Sequence, residues 1–439
     1  MSQKKDPFLK KSRFHQFLAE YLFHHDKFLI VSPWGQRIGH ISGEIMNAVC
    51  VSIRDNKQLI LITPFKTVNH EIFQCQFNCS IYNRRDWKVW VLTAFLNLSL
   101  FFHYFYNGIR SKLVKLFPLL SKAIPSYFFY PMYGIEKGNY GEHRIKGTSY
   151  YWSCELYLSQ NYQVSLNSNQ INRGRAGQSK MGIPEDSWFV CLHVREPGYA
   201  GPTLGDANIL NYLSAIKYIT QKGGYVLRMG DNSMTPLPKM KNVIDYALSE
   251  FKSELMDVYL VSRCRFFIGC CSGFSDLVKF FKKPTCLVNV YPSVATTPYF
   301  PNYMFILKHV YSIKKKRILT YKEALTSDSI ANSIYDPSEH FLIENSPEDI
   351  LEAIREYLFF LENLKFKGDD KIQEEVQNVR KQYCEYMLKN GLAKKALKKF
   401  IGVLPAQGRV ADFYLNRYWE ETKYLKEKSD LYHISIEKH

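Results

Sequence analysis

The chain has 439 residues, too many for one ordinary core and enough for two domains with an appendage. Its hydrophobic content of 46% is ample for burial, which excludes a disordered protein. A net charge of +17 requires an anionic partner, whether nucleic acid, an acidic membrane surface or a phosphorylated substrate.

Met1 to Ser12 is charged and lacks the apolar core of a secretory signal, so a cytoplasmic location is expected. Lys27 to Val31 reads as a strand, and Ser32 to His40 as a glycine-containing loop. Ile41 to Ser52 reads as a helix and Gln58 to Ile62 as the next strand, which together make a βαβ opening. The apolar stretch Trp87 to Tyr106 carries Lys88, Asn97 and His103, which makes it a poor hydrocarbon span. Arg110 to Lys122 mixes lysines with Leu, Val and Phe. Such a segment fits a helix lying on anionic lipid and equally a helix packed on the protein, so a peripheral contact at the inner face of the membrane is the most it implies. Tyr127 to Gly147 reads as irregular, and the polar run Asn161 to Lys180 as an inter-domain linker.

The second half is more regular. Trp188 to Leu192, Gly224 to Leu227, Arg265 to Ile268 and Thr285 to Val290 read as strands, with helices between them. Alternation of this kind predicts a parallel, doubly wound α/β sheet. Asp206 is the expected cap of a helix bearing Ile209, Leu213, Ile216 and Ile219, and Asp257 that of a short helix through Val261. Ser346-Pro347-Glu348-Asp349 opens another helix with a capping serine, a first-position proline and an acidic first turn. From Lys367 onward the chain is charged and helical, with more basic residues at Lys394 to Lys399. The ten cysteines include no Cys-x-x-Cys and are expected as reduced, small hydrophobic residues. Cys75-x-x-x-Cys79 lacks the second pair that zinc would need.

Three predicted strands end in small polar clusters. The first ends in His193-Val194-Arg195-Glu196, the second in Arg228-Met229-Gly230-Asp231 and the third in Gly269-Cys270-Cys271-Ser272-Gly273. Residues just past the carboxyl ends of parallel strands face the ligand crevice. His193 and Arg195 share one side of their strand and can meet one pyrophosphate together, the guanidinium offering a fork of donors matched to phosphate oxygens. The alternative is an arginine that caps the strand and pairs with Glu196. Arg228 is either a second phosphate clamp or a strand-end cation balanced by Asp231, and Gly230 would let the backbone approach a ligand. The Ser272 hydroxyl and the N–H groups from Gly273 onward form an anion site at a helix start. That turn lacks a P-loop lysine, a dinucleotide fingerprint and a nucleophile elbow.

Near the N-terminus, Arg37-Ile38-Gly39-His40 precedes Glu44 by one helical turn. His40 or Glu44 could take a proton from an acceptor hydroxyl, with Arg37 and Gly39 in the acceptor-side loop; the alternative is an N-terminal loop with a cap contact. No Asp-x-Asp occurs, so fixed cations rather than a divalent metal are expected to stabilise a leaving group. No metal or cofactor is expected. Dispersed lysines and the lack of a zinc-finger or RNP-like motif argue against a specific nucleic-acid partner.

The His193-Val194-Arg195-Glu196 string, Asp206 to Tyr212, Arg228 to Asp231, Cys271-Ser272-Gly273, the Arg37 to His40 loop and Asn345 to Ile350 together resemble a family of uncharacterised bacterial glycosyltransferases. The resemblance covers about residues 27 to 360 and is most specific between 188 and 275. More distantly, the His-x-Arg element is similar to that of GT-B fucosyltransferases, which are inverting and metal-independent. Their arginine engages the β-phosphate of GDP-sugar, a role that falls on Arg195. Their motif continues with a second arginine and an aspartate, where this chain has Glu196 and Pro197.

The resemblance implies an α/β, GT-B-like fold: two Rossmann-like domains facing across a cleft. The boundaries expected are 1–175 for the acceptor side, 176–360 for the nucleotide-sugar side and 361–439 for a helical C-terminal extension. It implies a transferase that moves a sugar from a nucleotide-sugar to a glycan or lipid-linked acceptor, in the synthesis of cell-surface polysaccharide or glycoconjugate. Arg195 and Arg228 would steady the diphosphate with Ser272 and Gly273, and Asp231 and Tyr212 would meet the sugar or nucleoside. A non-catalytic receptor for glycans or lipid head groups is the alternative.

Overall fold

In a computed structural model the described residues are 28–31, 33, 35–64, 67–82, 86–117, 135–138, 141–144, 161–198, 203–292, 300–327, 338–366, 368, 370–392 and 408–420. The expectations for Met1 to Ser12, for Lys122 and for Lys394 to Lys399 lie outside them. So do most of Tyr127 to Gly147, although an antiparallel pair, Ile135–Gly138 with Gly141–Arg144, falls within that supposedly irregular stretch. The chain divides into two compact units, Met1–Ser168 and Asn169–His439.

The first unit opens as β1 (Phe28–Val31), α1 (Ile38–Asp55) and β2 (Gln58–Leu61), and β3 (Ile81–Tyr82) completes a parallel sheet in the order β1-β2-β3. Helix α1 begins three residues earlier than the hydrophobic pattern suggested. Arg37, in extended conformation, supplies the helix boundary without a side-chain cap, so Gly39 and His40 lie inside the helix rather than in a loop. Trp87 to Tyr106 and the described part of the basic segment after it are one continuous 30-residue helix, α2 (Trp87–Leu116), capped by Asp86, whose carboxylate accepts the Lys88 N–H at 2.8 Å.

In the second unit the supposed linker is largely a helix, α3 (Ser168–Lys180). Its glycines explain why a polar run folds: a Cβ on Gly174 would lie 2.0 Å from the Tyr259 ring, so only a bare backbone allows that approach. The strands that follow are β4 (Phe189–His193), β5 (Tyr225–Arg228), β6 (Val243–Ile244), β7 (Phe266–Gly269), β8 (Thr285–Val290) and β9 (Tyr303–Leu307). With β13 (Arg409–Val410) they form one seven-stranded sheet in the order β6-β5-β4-β7-β8-β9-β13. Every pairing in it is parallel. Residues of β4, β7, β8 and β9 are buried throughout, as strands covered on both faces must be. The fold is therefore α/β and doubly wound, as expected.

Between the strands lie α4 (Leu213–Gln221), α5 (Glu254–Arg263) and α6 (Gly273–Phe280). Two caps differ from expectation. Asn208, not Asp206, caps the 3-10 turn Ile209–Tyr212 that leads into α4, its side chain accepting the Leu210 N–H at 2.9 Å. Ser253, not Asp257, caps α5. In both cases a neighbouring residue reaches the open N–H first, and the aspartate is engaged elsewhere.

A smaller antiparallel sheet follows from β10 (His309–Ser312), β11 (Arg317–Ile318) and β12 (His340–Ile343), with the short α7 (Tyr321–Leu325) between the last two. Helix α8 (Pro347–Asn363) starts at Ser346 with a full capping box, as the Ser-Pro-Glu-Asp string predicts. Helices α9 (Asp370–Lys389) and α10 (Asp412–Tyr418) flank β13. Within the C-terminal stretch β13 pairs with Met304 and Phe305 at the edge of the main sheet.

Candidate functional site

Numbered in chain order, the main sheet runs 3-2-1-4-5-6 with a seventh strand added at one edge. The order reverses between β4 and β7, the point at which such sheets, with right-handed crossovers, carry the helices of their two halves on opposite faces. In open α/β sheets ligands bind beyond the carboxyl ends of the strands at such a reversal. The residues there are His193 to Glu196 and Cys270 to Gly273.

The two ends are laced together. Gly269 pairs with His193, and a Cβ on Gly269 would sit 2.2 Å from the His193 carbonyl oxygen. The Cys270 N–H donates to that oxygen at 3.3 Å, and the Arg195 N–H donates to Cys270 Sγ at 3.0 Å. Burial pushes the Cys270 thiol up to about 12, so it remains a thiol that orients Arg195. From sequence it was expected only as a small hydrophobic residue.

Arg195 is partly exposed and forms an ion pair with Asp206 at 3.2 Å. The Asp206 carboxylate also accepts the Thr203 N–H at 2.7 Å and the Thr203 hydroxyl at 2.8 Å. Lys308, 6% exposed, donates from Nζ to the Asp206 carbonyl. Burial lowers the Lys308 pKa, opposed by Glu344 and Cys270. Lys308 escaped the sequence reading, yet it ends the apolar run Tyr303 to Leu307 as Arg228 ends its own strand. That run was the available signal.

Arg228 is fully buried. Its Nη2 donates to Glu196 Oε1 at 2.7 Å and its Nη1 to Asp245 Oδ1 at 3.3 Å. Glu196 also accepts the N–H and hydroxyl of Thr235, and Asp245 the Leu237 N–H. The guanidinium is thus committed to two carboxylates and holds the loop after β5 against the end of β4. The balancing acids are Glu196 and Asp245 rather than Asp231, and Glu196 serves Arg228 rather than Arg195. A single buried positive charge needs partners from whichever loops reach it.

Asp231 instead accepts the Ser233 N–H at 2.8 Å and the Ser233 hydroxyl at 2.5 Å. Burial pushes its carboxyl up, but those two donors, with Lys252 nearby, outweigh that and hold it below the ordinary value. Gly230 has φ +148°, and a Cβ there would meet Met234 at 2.9 Å, so its glycine serves the turn and the Met234 contact.

His193 is 7% exposed, and its Nδ1 has no hydrogen-bond partner among the described residues. Burial, reinforced by Arg228 and opposed by Asp231, lowers its pKa to about 3. The ring is therefore neutral and lies 5.1 Å from that of Phe274 in the first turn of α6. Ser272 caps this helix in a capping box with Ser275, so its side chain serves the helix start. The N–H groups of Gly273 and Phe274 precede any carbonyl they could bond within the helix.

Tyr212 is buried and accepts a hydrogen bond from Asn289 Nδ2 at 3.1 Å. Asn289, left-handed at φ +56°, exchanges backbone-to-side-chain bonds with Asn345 at 2.6 and 2.7 Å. This network holds the irregular end of β8 and places Tyr212 in support of the crevice. In the first unit His40 and Glu44 sit four residues apart on α1, His40 half-buried and Glu44 4% exposed, with Arg37 exposed before them. Among the described residues, no three His, Cys, Asp or Glu side chains group as a metal-binding cluster.

No protein family and no curated protein matches the sequence. Solved structures match it only distantly. The glycosyl transferase family 9 protein from Veillonella parvula DSM 2008 is 10% identical over 76% of this chain and 97% of its own, with a TM-score of 0.43. The ADP-heptose lps heptosyltransferase II of E. coli is 12% identical over 76% of this chain and 99% of its own, at 0.36. The iron-containing dodecameric glycosyltransferase TibC from enterotoxigenic E. coli H10407 is 14% identical over 63% of this chain and 60% of its own, at 0.31.

Proposed function

We propose that the chain is a glycosyltransferase that takes a nucleotide-sugar donor at the strand reversal of the second unit. The observation that carries this reading is the laced corner between β4 and β7. It sets a partly exposed arginine, Arg195, beside the start of α6. The βα turn there, His193 to Gly198, lacks the glycine fingerprint of dinucleotide enzymes and offers a guanidinium instead. A fixed cation and a helix start suit a diphosphate that gains charge as it leaves.

In this reading Arg195 and the N–H groups at Gly273 and Phe274 receive the diphosphate, neutral His193 adds a hydrogen bond through Nδ1, and charged Asp231 meets a sugar or ribose hydroxyl. Asp206, Tyr212, Arg228, Gly230 and the Ser272 side chain hold these groups in place. The acceptor hydroxyl, of a glycan or a lipid-linked carrier, gives its proton to His40 or Glu44 in the first unit. Its oxygen bonds to the anomeric carbon as the carbon–diphosphate bond breaks, with inversion and without a metal.

The test is thermal denaturation of the full chain with GDP, UDP, CMP, ADP and dTDP, with and without magnesium. One nucleotide should stabilise it by about 2.7 kcal/mol at a hundredfold excess over its Kd, independently of magnesium and only while Arg195 is present. No stabilisation by any of the five, or full stabilisation of Arg195→Ala, overturns the assignment.

A further inference from the structure

Helix α2 carries a surface that this chemistry does not use. From Trp87 to Leu116 it contains Lys88, Arg110, Lys112 and Lys115 and no Asp or Glu. Val89 and Leu92 are buried. Large apolar side chains are nevertheless exposed along its length: Trp87 63%, Trp90 54%, Leu98 52%, Phe105 60%, Ile109 46% and Leu116 71%. At about 100° per residue, these six fall within one sector roughly 100° wide, and Val89 and Leu92 fall on the other side. The stripe runs about 45 Å, the length of the helix. Among the described side chains this sector is apolar save for Lys112, and an exposed apolar face marks a contact surface.

Charge decides between two occupants. Pairing two copies of α2 antiparallel would bring Lys88 against the Arg110 to Lys115 cluster. Pairing them parallel would set that cluster against itself. The helix has no acid of its own to offset either arrangement. An anionic bilayer offsets Lys112 and Lys115, exposed in or beside the apolar sector, and their stems can lie along that face with the ammonium groups in the headgroup layer. Among the described residues, no helix is long and apolar enough to cross a membrane. We infer that α2 docks side-on in the headgroup region of an anionic lipid bilayer, through the stripe from Trp87 to Leu116. This rests on α2 alone and is independent of the reaction assigned to the second unit.

The test is co-sedimentation of the full chain with vesicles of phosphatidylcholine and of equal parts phosphatidylcholine and phosphatidylglycerol. The two variants are Phe105→Ser with Ile109→Ser, and Lys112→Glu with Lys115→Glu. All four positions are exposed, and an unchanged melting temperature certifies each fold. Binding should be at least about tenfold stronger to the anionic vesicles, weaken with salt, and fall at least about tenfold in either variant. A blue shift of tryptophan emission on binding, diminished in Trp90→Phe, should report insertion. Equal binding to both vesicle types, or none, overturns the proposal. So does a wild-type dimer in sedimentation analysis that Phe105→Ser with Ile109→Ser dissolves without any vesicle binding, because a second copy would then cover the stripe.

Discussion

Two arginines at neighbouring strand ends have opposite physical situations. Arg228 is fully buried between Glu196 and Asp245, so Arg228→Ala would strand two carboxylates and should destabilise the protein by about 3–5 kcal/mol in urea denaturation. Arg195 forms a half-exposed pair with Asp206, and Arg195→Ala should cost no more than about 1 kcal/mol in the same assay while abolishing the nucleotide response. Equal losses would mean that the two share one role. His193 makes a separate prediction. Its folded pKa is about 3 against an ordinary 6.5, so between those values the unfolded chain binds the extra proton. The stabilisation is complete above pH 6.5 and is lost as pH falls toward 3, with a slope of at most about 1.4 kcal/mol per pH unit. His193→Gln should flatten that part of the stability profile, and an unchanged slope would place the titration elsewhere. That His193 stands at a strand end was legible because the apolar run before it marks the strand. Which carboxylate balances which arginine was not, because Asp206, Glu196 and Asp245 arrive on loops from different parts of the chain.

At the scale of elements, the strand reversal depends on a bare backbone at Gly269. A methyl group there would lie 2.2 Å from a carbonyl oxygen of the neighbouring strand, which cannot retreat without parting β4 from β7. Gly269→Ala should therefore cost about 3 kcal/mol or more and lose the nucleotide response. Ser346→Ala, which removes only the cap of α8, should cost about 1 kcal/mol and leave that response intact, as calorimetry and titration would show. The α8 start was legible in four consecutive residues because capping is local. The caps at Asn208 and Ser253 were misplaced because several polar residues stood near each helix start. Only the backbone path selects which one faces the open N–H groups. Strand β9 went unread, although Tyr303 to Leu307 is an apolar run, and with it went Lys308.

For the whole molecule, the C-terminal stretch is structural. Beyond β13 pairing with β9, Glu356 accepts the N–H groups of Asp412 and Phe413 at 2.7 and 3.0 Å, and Gln373 Nε2 donates to the Val410 carbonyl at 2.6 Å. A chain ending at Gln407 should melt at a markedly lower temperature, because Glu356 and Gln373 would lose buried partners together. An unchanged melting temperature would show the stretch to be dispensable. Sequence alone determined the α/β class, the parallel strands of the second unit, the polar clusters that close them and the mixed basic and apolar composition of α2. Period and composition act over a few residues and need no knowledge of the rest. Tertiary structure decided the strand order and its reversal, the carboxylate partners of Arg195 and Arg228, and the pairing of Arg409–Val410 with the main sheet. Those depend on contacts between residues tens to hundreds of positions apart, and no local pattern records them.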